Sequence, residues 1–325
     1  MTERLPERQA SHQGTLDAAR AVSLILRKTP LLPVEIAMPT GRVSCHVKAE
    51  NLQPIGAFKI RGAWWRLSNL TRAERAGGVV AVSSGNHAQG IAWAAKRLGI
   101  SATIVMPRDA PQVKLDATRA LGAEVVLYER PGEDRDEVAA RLIEERGGIL
   151  VHAFGDPWVI EGQGSLGVEL TQQIAAGPSK VIVCCGGGGL AAGIALACPD
   201  AAVHVVEPEG WDMVGQAIAA GEVVEAAPDA PHTICDALQP TATKPINLNL
   251  LKGRAEPGIT VSDEEVRTAQ RWAFANLQMV LEPGGAAALA AALAGKVELD
   301  ERSVIVLTGG NADPAAFAQT IAANA

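Results

Sequence analysis

The stretch GVVAVSSGNHAQGIAWAAKRLGISATIVMP, Gly78–Pro107, reads as an apolar β-prone run, a polar turn, a segment of helical period and a second apolar run. Neighbouring strands joined through a helix pair in parallel, and a parallel sheet needs both faces covered. The alternation continues downstream, with PQVKLDATRALG before AEVVLY and DRDEVAARLIEERG before GILVHAF. A second set opens with SKVIVCCGGGGLAAGIALA (Ser179–Ala197), runs through AAVHVVEP and MVGQAIAAG, and includes the apolar SVIVLTGG near the end of the chain. This pattern predicts an α/β protein with two doubly wound open-sheet domains. Gly, Asp and Pro interrupt it at FGDPW, Phe154–Trp158. Because the second set closes only at the C-terminus, a smaller domain of residues 70–155 is expected, inserted into a larger one made of 1–69 and 156–325.

Composition narrows the function classes. The 325 residues, 48% of them hydrophobic, supply material for large buried cores. No apolar run approaches the roughly 18 residues of a membrane span, and the opening MTERLPERQASHQG lacks the order of a secretion signal. A cytoplasmic protein without a membrane partner is expected. The five cysteines are odd in number and show no C-x-x-C spacing, so neither disulfides nor a structural zinc is expected. The formal charge is −7 and no long basic block is present, which argues against nucleic acid as a partner.

Open α/β sheets bind ligands at the carboxyl ends of their strands. Three of the predicted strand ends carry glycine or hydroxyl clusters: SSGNHAQG (Ser83–Gly90), CGGGGL (Cys185–Leu190) and TGGN (Thr308–Asn311). Successive glycines between a strand and a helix let backbone N–H groups converge on one anion, aided by the helix dipole. SSGNHAQG offers hydroxyl, amide and imidazole groups suited to holding an oxyanion. Upstream, QPIGAFKIRGAWWRL (Gln53–Leu67) sets Lys59 between Phe58 and Ile60. A desolvated lysine loses its proton readily and can form a Schiff base with an aldehyde. Taken singly, these features also read as a tight turn, a helix N-cap at Ser84 and a snorkelling surface lysine. Their combination points to an aldehyde cofactor that carries a phosphate.

The order of motifs from RKTPLLP (Arg27–Pro33) through KAENLQPIGAFKIRGA, SSGNHAQGIAWAAK, VIEGQGSLGVEL, CGGGGL, EPEG, TICDAL and EPGGAAALAA to LTGGN resembles the fold-type-II, tryptophan synthase β-like pyridoxal-phosphate enzymes. Within them it is similar to the serine/threonine dehydratase and serine racemase branch. The resemblance implies pyridoxal 5′-phosphate as cofactor, a small amino acid as substrate and a homodimer. It implies that Lys59 holds the cofactor as a Schiff base and then takes the Cα proton. It gives Gly186, Gly187, Gly188, Gly189 and Leu190 the cofactor phosphate, Asn86 the phenolic oxygen, Phe58 one ring face and Thr308 the pyridine nitrogen, with Glu282 nearby. Ser83, Ser84, Asn86 and His87 fall in the substrate loop, and Ser84 is the second acid/base if the chain is a racemase.

Departures from the family pattern also carry meaning. Ala57 stands where serine is usual, and Ala237, Pro240 and Thr241 alter a substrate-binding stretch. Metal-dependent members place a glutamate and, six residues on, an aspartate; here Glu207 is followed at that spacing by Met213, a poor partner for a hard cation, so no metal is expected. The expected reaction is β-elimination from a β-hydroxy amino acid such as threonine or serine, giving a 2-oxo acid and ammonia. Racemisation is the alternative within the family, and a nicotinamide-dependent oxidoreductase that uses CGGGGL is the remoter one. Arg135 is expected as a solvated helix residue, and Trp64 and Trp65 as packing residues.

Overall fold

The computed structural model describes residues 8–38, 41–110, 112–129 and 132–323. Among the described residues, ten strands form two sheets. A four-stranded sheet contains β3 (Val79–Val82), β4 (Ala102–Pro107), β5 (Glu124–Tyr128) and β6 (Ile149–Leu150), ordered β5-β4-β3-β6 and parallel throughout. A six-stranded sheet, ordered β1-β2-β10-β7-β8-β9, contains β1 (Leu31–Met38), β2 (Gly41–Ala49), β7 (Lys180–Cys184), β8 (Ala202–Pro208), β9 (Ile259–Val261) and β10 (Ser303–Leu307). Both are helix-covered α/β layers, the fold class that the periodicity predicts.

The six-stranded sheet is mixed. β1 and β2 form an antiparallel hairpin that the sequence reading does not contain, and β2 joins β10 in parallel. In β1, Val34 and Ile36 are buried while Pro33 and Glu35 are exposed. Such alternation marks an edge strand with one wet face, where proline is tolerated. The central β10 is buried at every residue, as a strand covered on both faces must be. The helix Pro283–Leu293, PGGAAALAAAL, is buried along most of its length, and its small side chains let it lie close to the sheet.

The helix Lys59–Ser68 is fixed from two sides. Gly62 meets Gly162 of the helix Pro157–Gln173, and a Cβ on Gly162 would stand 2.6 Å from the Gly62 Cα, so neither position has room for a side chain. Trp64 packs edge-on against Trp93 at 5.9 Å between centroids, and Trp65 against Trp158 at 5.6 Å. The Trp65 indole N–H also donates to the Glu161 carboxylate at 3.2 Å.

Beneath this helix lies a buried charge network. Arg61 donates from Nε and Nη2 to Glu50 at 2.7 and 2.8 Å, and from Nη1 to Glu169 at 2.8 Å. Lys48 donates to the other Glu169 oxygen at 2.7 Å, and the Thr29 hydroxyl to Glu50 at 2.6 Å. Burial pushes the Glu50 carboxyl up, but the Arg61 guanidinium outweighs it and holds the group below its usual range.

Candidate active site

Lys59 opens its helix directly after Phe58, and the chain there is pinned to the end of β10: Ala57 bridges Gly309, and the Phe58 N–H donates to the Thr308 carbonyl at 3.1 Å. The lysine Nζ donates to the Ala153 carbonyl at 2.8 Å and lies 5.2 Å from the centre of the Phe58 ring. Burial pushes the Lys59 ammonium down to about 8, with the nearby thiols of Cys184 and Cys185 opposing weakly. An amine with one neutral acceptor and little water is poised to act as a nucleophile.

The glycine loop follows β7. Gly188 has φ of +90°, the left-handed region that glycine adopts without strain, and leads into the helix Gly189–Ala197. A Cβ on Gly187 would stand 2.3 Å from the Phe154 ring, and one on Gly189 2.9 Å from the Phe154 Cα. The Gly187 carbonyl is held from behind by the Thr243 hydroxyl at 3.0 Å and the Asn247 amide at 2.5 Å. With its carbonyl anchored, the loop presents backbone N–H groups and the helix N-terminus, whose first-turn donors have no intrahelical acceptor.

The third strand end brings together Asn86, Glu282 and Asn311. Asn86 Nδ2 donates to Glu282 Oε1 at 2.6 Å, and Asn311 Nδ2 donates to Asn86 Oδ1 at 2.7 Å and to the Ile55 carbonyl at 2.9 Å. Burial lifts the Glu282 carboxyl from 4.5 to about 7, and the Asn86 hydrogen bond lowers it only in part. Between these values the native state keeps a proton that the unfolded chain has released, so this group's contribution to stability is present below 4.5 and lost as the pH rises through about 7. Across that window, wild-type apo-protein is expected to lose roughly 3 kcal/mol relative to Glu282→Gln. Urea unfolding of both proteins at a series of pH values measures the difference.

Ser83 and Ser84 lie in the turn after β3, where the Ser83 hydroxyl accepts from the Gly85 N–H at 3.2 Å. His87 is buried, and its Nε2 donates to the Val151 carbonyl at 2.9 Å. Burial, with help from the Lys59 charge, pushes the imidazole down to about 3, so it is neutral and, among the described residues, its Nδ1 is an acceptor without a partner. The side chain therefore offers no proton to a carboxylate. Its backbone N–H, in the first turn of the helix Asn86–Leu98, is the group suited to that task.

Thr308 is buried, and its hydroxyl lies 3.0 Å from Cys184 Sγ. Arg135 stands exposed at the start of the helix Arg135–Arg146, as a solvated arginine should. Glu207 is buried and accepts from the N–H groups of Val214 and Gly215 at 2.9 and 2.8 Å. Burial raises it to about 8. Among the described residues, no group of three His, Cys, Asp or Glu side chains is placed to hold a metal ion.

Sequence reasoning missed the segment His152–Gly155, read as the end of a strand and a domain break. β6 stops at Leu150, and the segment lies under the site: Ala153 receives the Lys59 amine, Phe154 packs on the glycine loop, and His152 Nδ1 accepts from the Phe154 and Gly155 N–H groups at 3.2 and 2.9 Å. A Gly-Asp-Pro turn signals only a chain reversal. Thr243 and Asn247 were also missed, because isolated polar residues in loops give no periodic signal, and Asn311 was quoted within TGGN without a role.

A buried amine, an anchored glycine loop and a hydroxyl at the end of β10 converge beside the Ala153 carbonyl that follows β6, a site built for an aldehyde that carries a phosphate. The family model described as "Pyridoxal-phosphate dependent enzyme" matches residues 22–309, and the chain belongs to that family. It is 37% identical over 309 residues to a serine racemase of Schizosaccharomyces pombe, covering 93% of this chain and 94% of the relative. It is also 37% identical over 318 residues to an L-threo-3-hydroxyaspartate ammonia-lyase of Pseudomonas, covering 96% and 98%. The solved structure of maize serine racemase superposes with a TM-score of 0.88 at 31% identity, over 98% of both chains. The cofactor is pyridoxal phosphate, and the nicotinamide reading of CGGGGL is set aside.

Proposed function

We propose that the chain is a lyase that removes water from a β-hydroxy amino acid such as serine or threonine and releases a 2-oxo acid and ammonia. The observation that carries this reading is the Lys59 amine, lowered to about 8 and held 2.8 Å from the Ala153 carbonyl beside the glycine loop. Bound pyridoxal phosphate supplies an electron sink conjugated to the substrate Cα. Lys59 would anchor the cofactor, and its amine would be the group placed to take the Cα proton. The N–H groups of Gly186, Gly187, Gly188, Gly189 and Leu190 would hold the phosphate, Asn86, backed by Glu282, would hydrogen-bond the phenolic oxygen, and Phe58 would lie against the ring. Backbone N–H groups at Ser83, Ser84 and His87 hold the substrate carboxylate.

Thr308 gives the reaction its direction. A neutral hydroxyl does not force a proton onto the pyridine nitrogen, so electron withdrawal from Cα is modest and prompt loss of the β-hydroxyl is favoured. The Cα–H and Cβ–O bonds break, water leaves, and hydrolysis of the released enamine gives the oxo acid and ammonia. The ammonia-lyase relative supports this reading. The racemase relative and the presence of Ser84 in the substrate loop support racemisation as the second reading.

Incubating L-serine or L-threonine with holoenzyme in deuterated water separates them. Oxo acid and ammonia are expected as the main products. Accumulation of labelled amino acid of the opposite hand would favour racemisation, and absence of both would sink the proposal. The reading takes residues 70–155 as an inserted domain, supported by the four-stranded sheet lying within them. Among the described residues no helix is long and apolar enough to cross a membrane. A cytoplasmic homodimer completes the proposal, on the family resemblance alone.

A further inference from the structure

Two adjacent cysteines, the last residue of β7 and the one after it, stand immediately before the glycine loop, and the roles assigned so far use neither. Cys184 is the last residue of that strand, and Thr308 follows the last residue of β10, the neighbouring parallel strand. Both side chains are buried, with Cys184 Sγ and Thr308 Oγ1 3.0 Å apart. The Thr308 backbone is already committed: its N–H donates to the Gly285 carbonyl at 3.3 Å, and its carbonyl accepts from Phe58 at 3.1 Å. Among the described residues, Cys184 is the one recorded partner of the hydroxyl.

We propose that Cys184 is a positioning residue that sets the direction in which the Thr308 hydroxyl donates. A hydroxyl carries one proton and two acceptor lone pairs. The sulfur keeps its proton, because burial pushes the thiol up to about 11. In the proposed arrangement the S–H donates to the Thr308 oxygen, 3.0 Å away, and the threonine proton points into the site. A hydroxyl that accepts one hydrogen bond is a stronger donor in the next. The inference rests on the reading of Thr308 as the neighbour of the pyridine nitrogen. In that setting Cys184 strengthens a hydrogen bond to the nitrogen without bringing a charge.

Infrared spectroscopy of apo-protein reads the thiol directly. The difference between wild type and Cys184→Ala isolates one S–H stretching band, expected at the lowered frequency of a hydrogen-bonded donor and expected to rise in Thr308→Val. Equilibrium titration with pyridoxal phosphate gives the second readout. Cys184→Ala is expected to weaken binding about fivefold and to shift the visible absorbance maximum, whereas Cys184→Ser, which retains a donor, stays within about twofold of wild type. A band unmoved by Thr308→Val, or wild-type affinity and absorbance in Cys184→Ala, overturns the proposal. If the band shifts but Thr308→Val leaves cofactor affinity and absorbance unchanged, the placement of Thr308 at the nitrogen has failed, and the inference falls with it. Should Cys184→Ala not fold, comparison of wild type with Thr308→Val still decides the direction of the bond.

Discussion

Lys59→Ala protein is expected to lose turnover by at least about a thousandfold, because one substitution removes both the covalent anchor of the cofactor and the base that takes the Cα proton. The purified variant should lack the visible absorbance of a lysine-bound cofactor. Borohydride followed by mass mapping should label Lys59 in wild type and no lysine in the variant. The fold should persist, since the substitution removes an amine that burial disfavours in its charged form and leaves only the Ala153 carbonyl without its partner. Undiminished turnover, or a label at another lysine, would remove the central residue of the proposal.

Arg61→Met is expected to cost about 3–5 kcal/mol of unfolding free energy, the magnitude for removing one partner of a buried ion pair. Glu50 would keep only the Thr29 hydroxyl and a long contact from Gln53 at 3.3 Å, while Glu169 would keep Lys48. Pairing the change with Glu50→Gln should recover part of the loss, because an uncharged amide tolerates burial better than an isolated carboxylate. Urea unfolding of the two single variants and the double variant measures this coupling. A loss below about 1 kcal/mol would show that the network contributes little. Arg61 lies two positions from Lys59 on the same helix, so the double variant should also bind cofactor more tightly than Arg61→Met.

Much of this arrangement was legible in the sequence, because the signals were local. Parallel strands buried on both faces announce themselves as apolar runs, and the glycines and hydroxyls of the site follow β3, β7 and β10 directly. The hairpin β1–β2 was not legible, since Pro33 and Glu35 break the apolar run and alternation over so few residues is a weak signal. Nor were the pairings made through space. Nothing in the spacing of Asn86, Glu282 and Asn311 indicates that two amides and a carboxyl from different loops line up within hydrogen-bond reach. His87 was legible as a member of the loop, but the direction of its ring was not: that depends on the Val151 carbonyl, 64 positions away.

The placement of Ala153 and Phe154 has a consequence for anyone recombining this enzyme with its relatives. A chimera that exchanges the four-stranded unit at the Gly-Asp-Pro junction would cut through the candidate site, because the residues that follow β6 are also those that grip the amine and pack on the glycine turn. Asp156, next in line, both caps the following helix and pairs with Arg66 at 3.0 Å. The safe crossover lies outside this segment, with His152–Asp156 inherited from the same parent as the Lys59 helix.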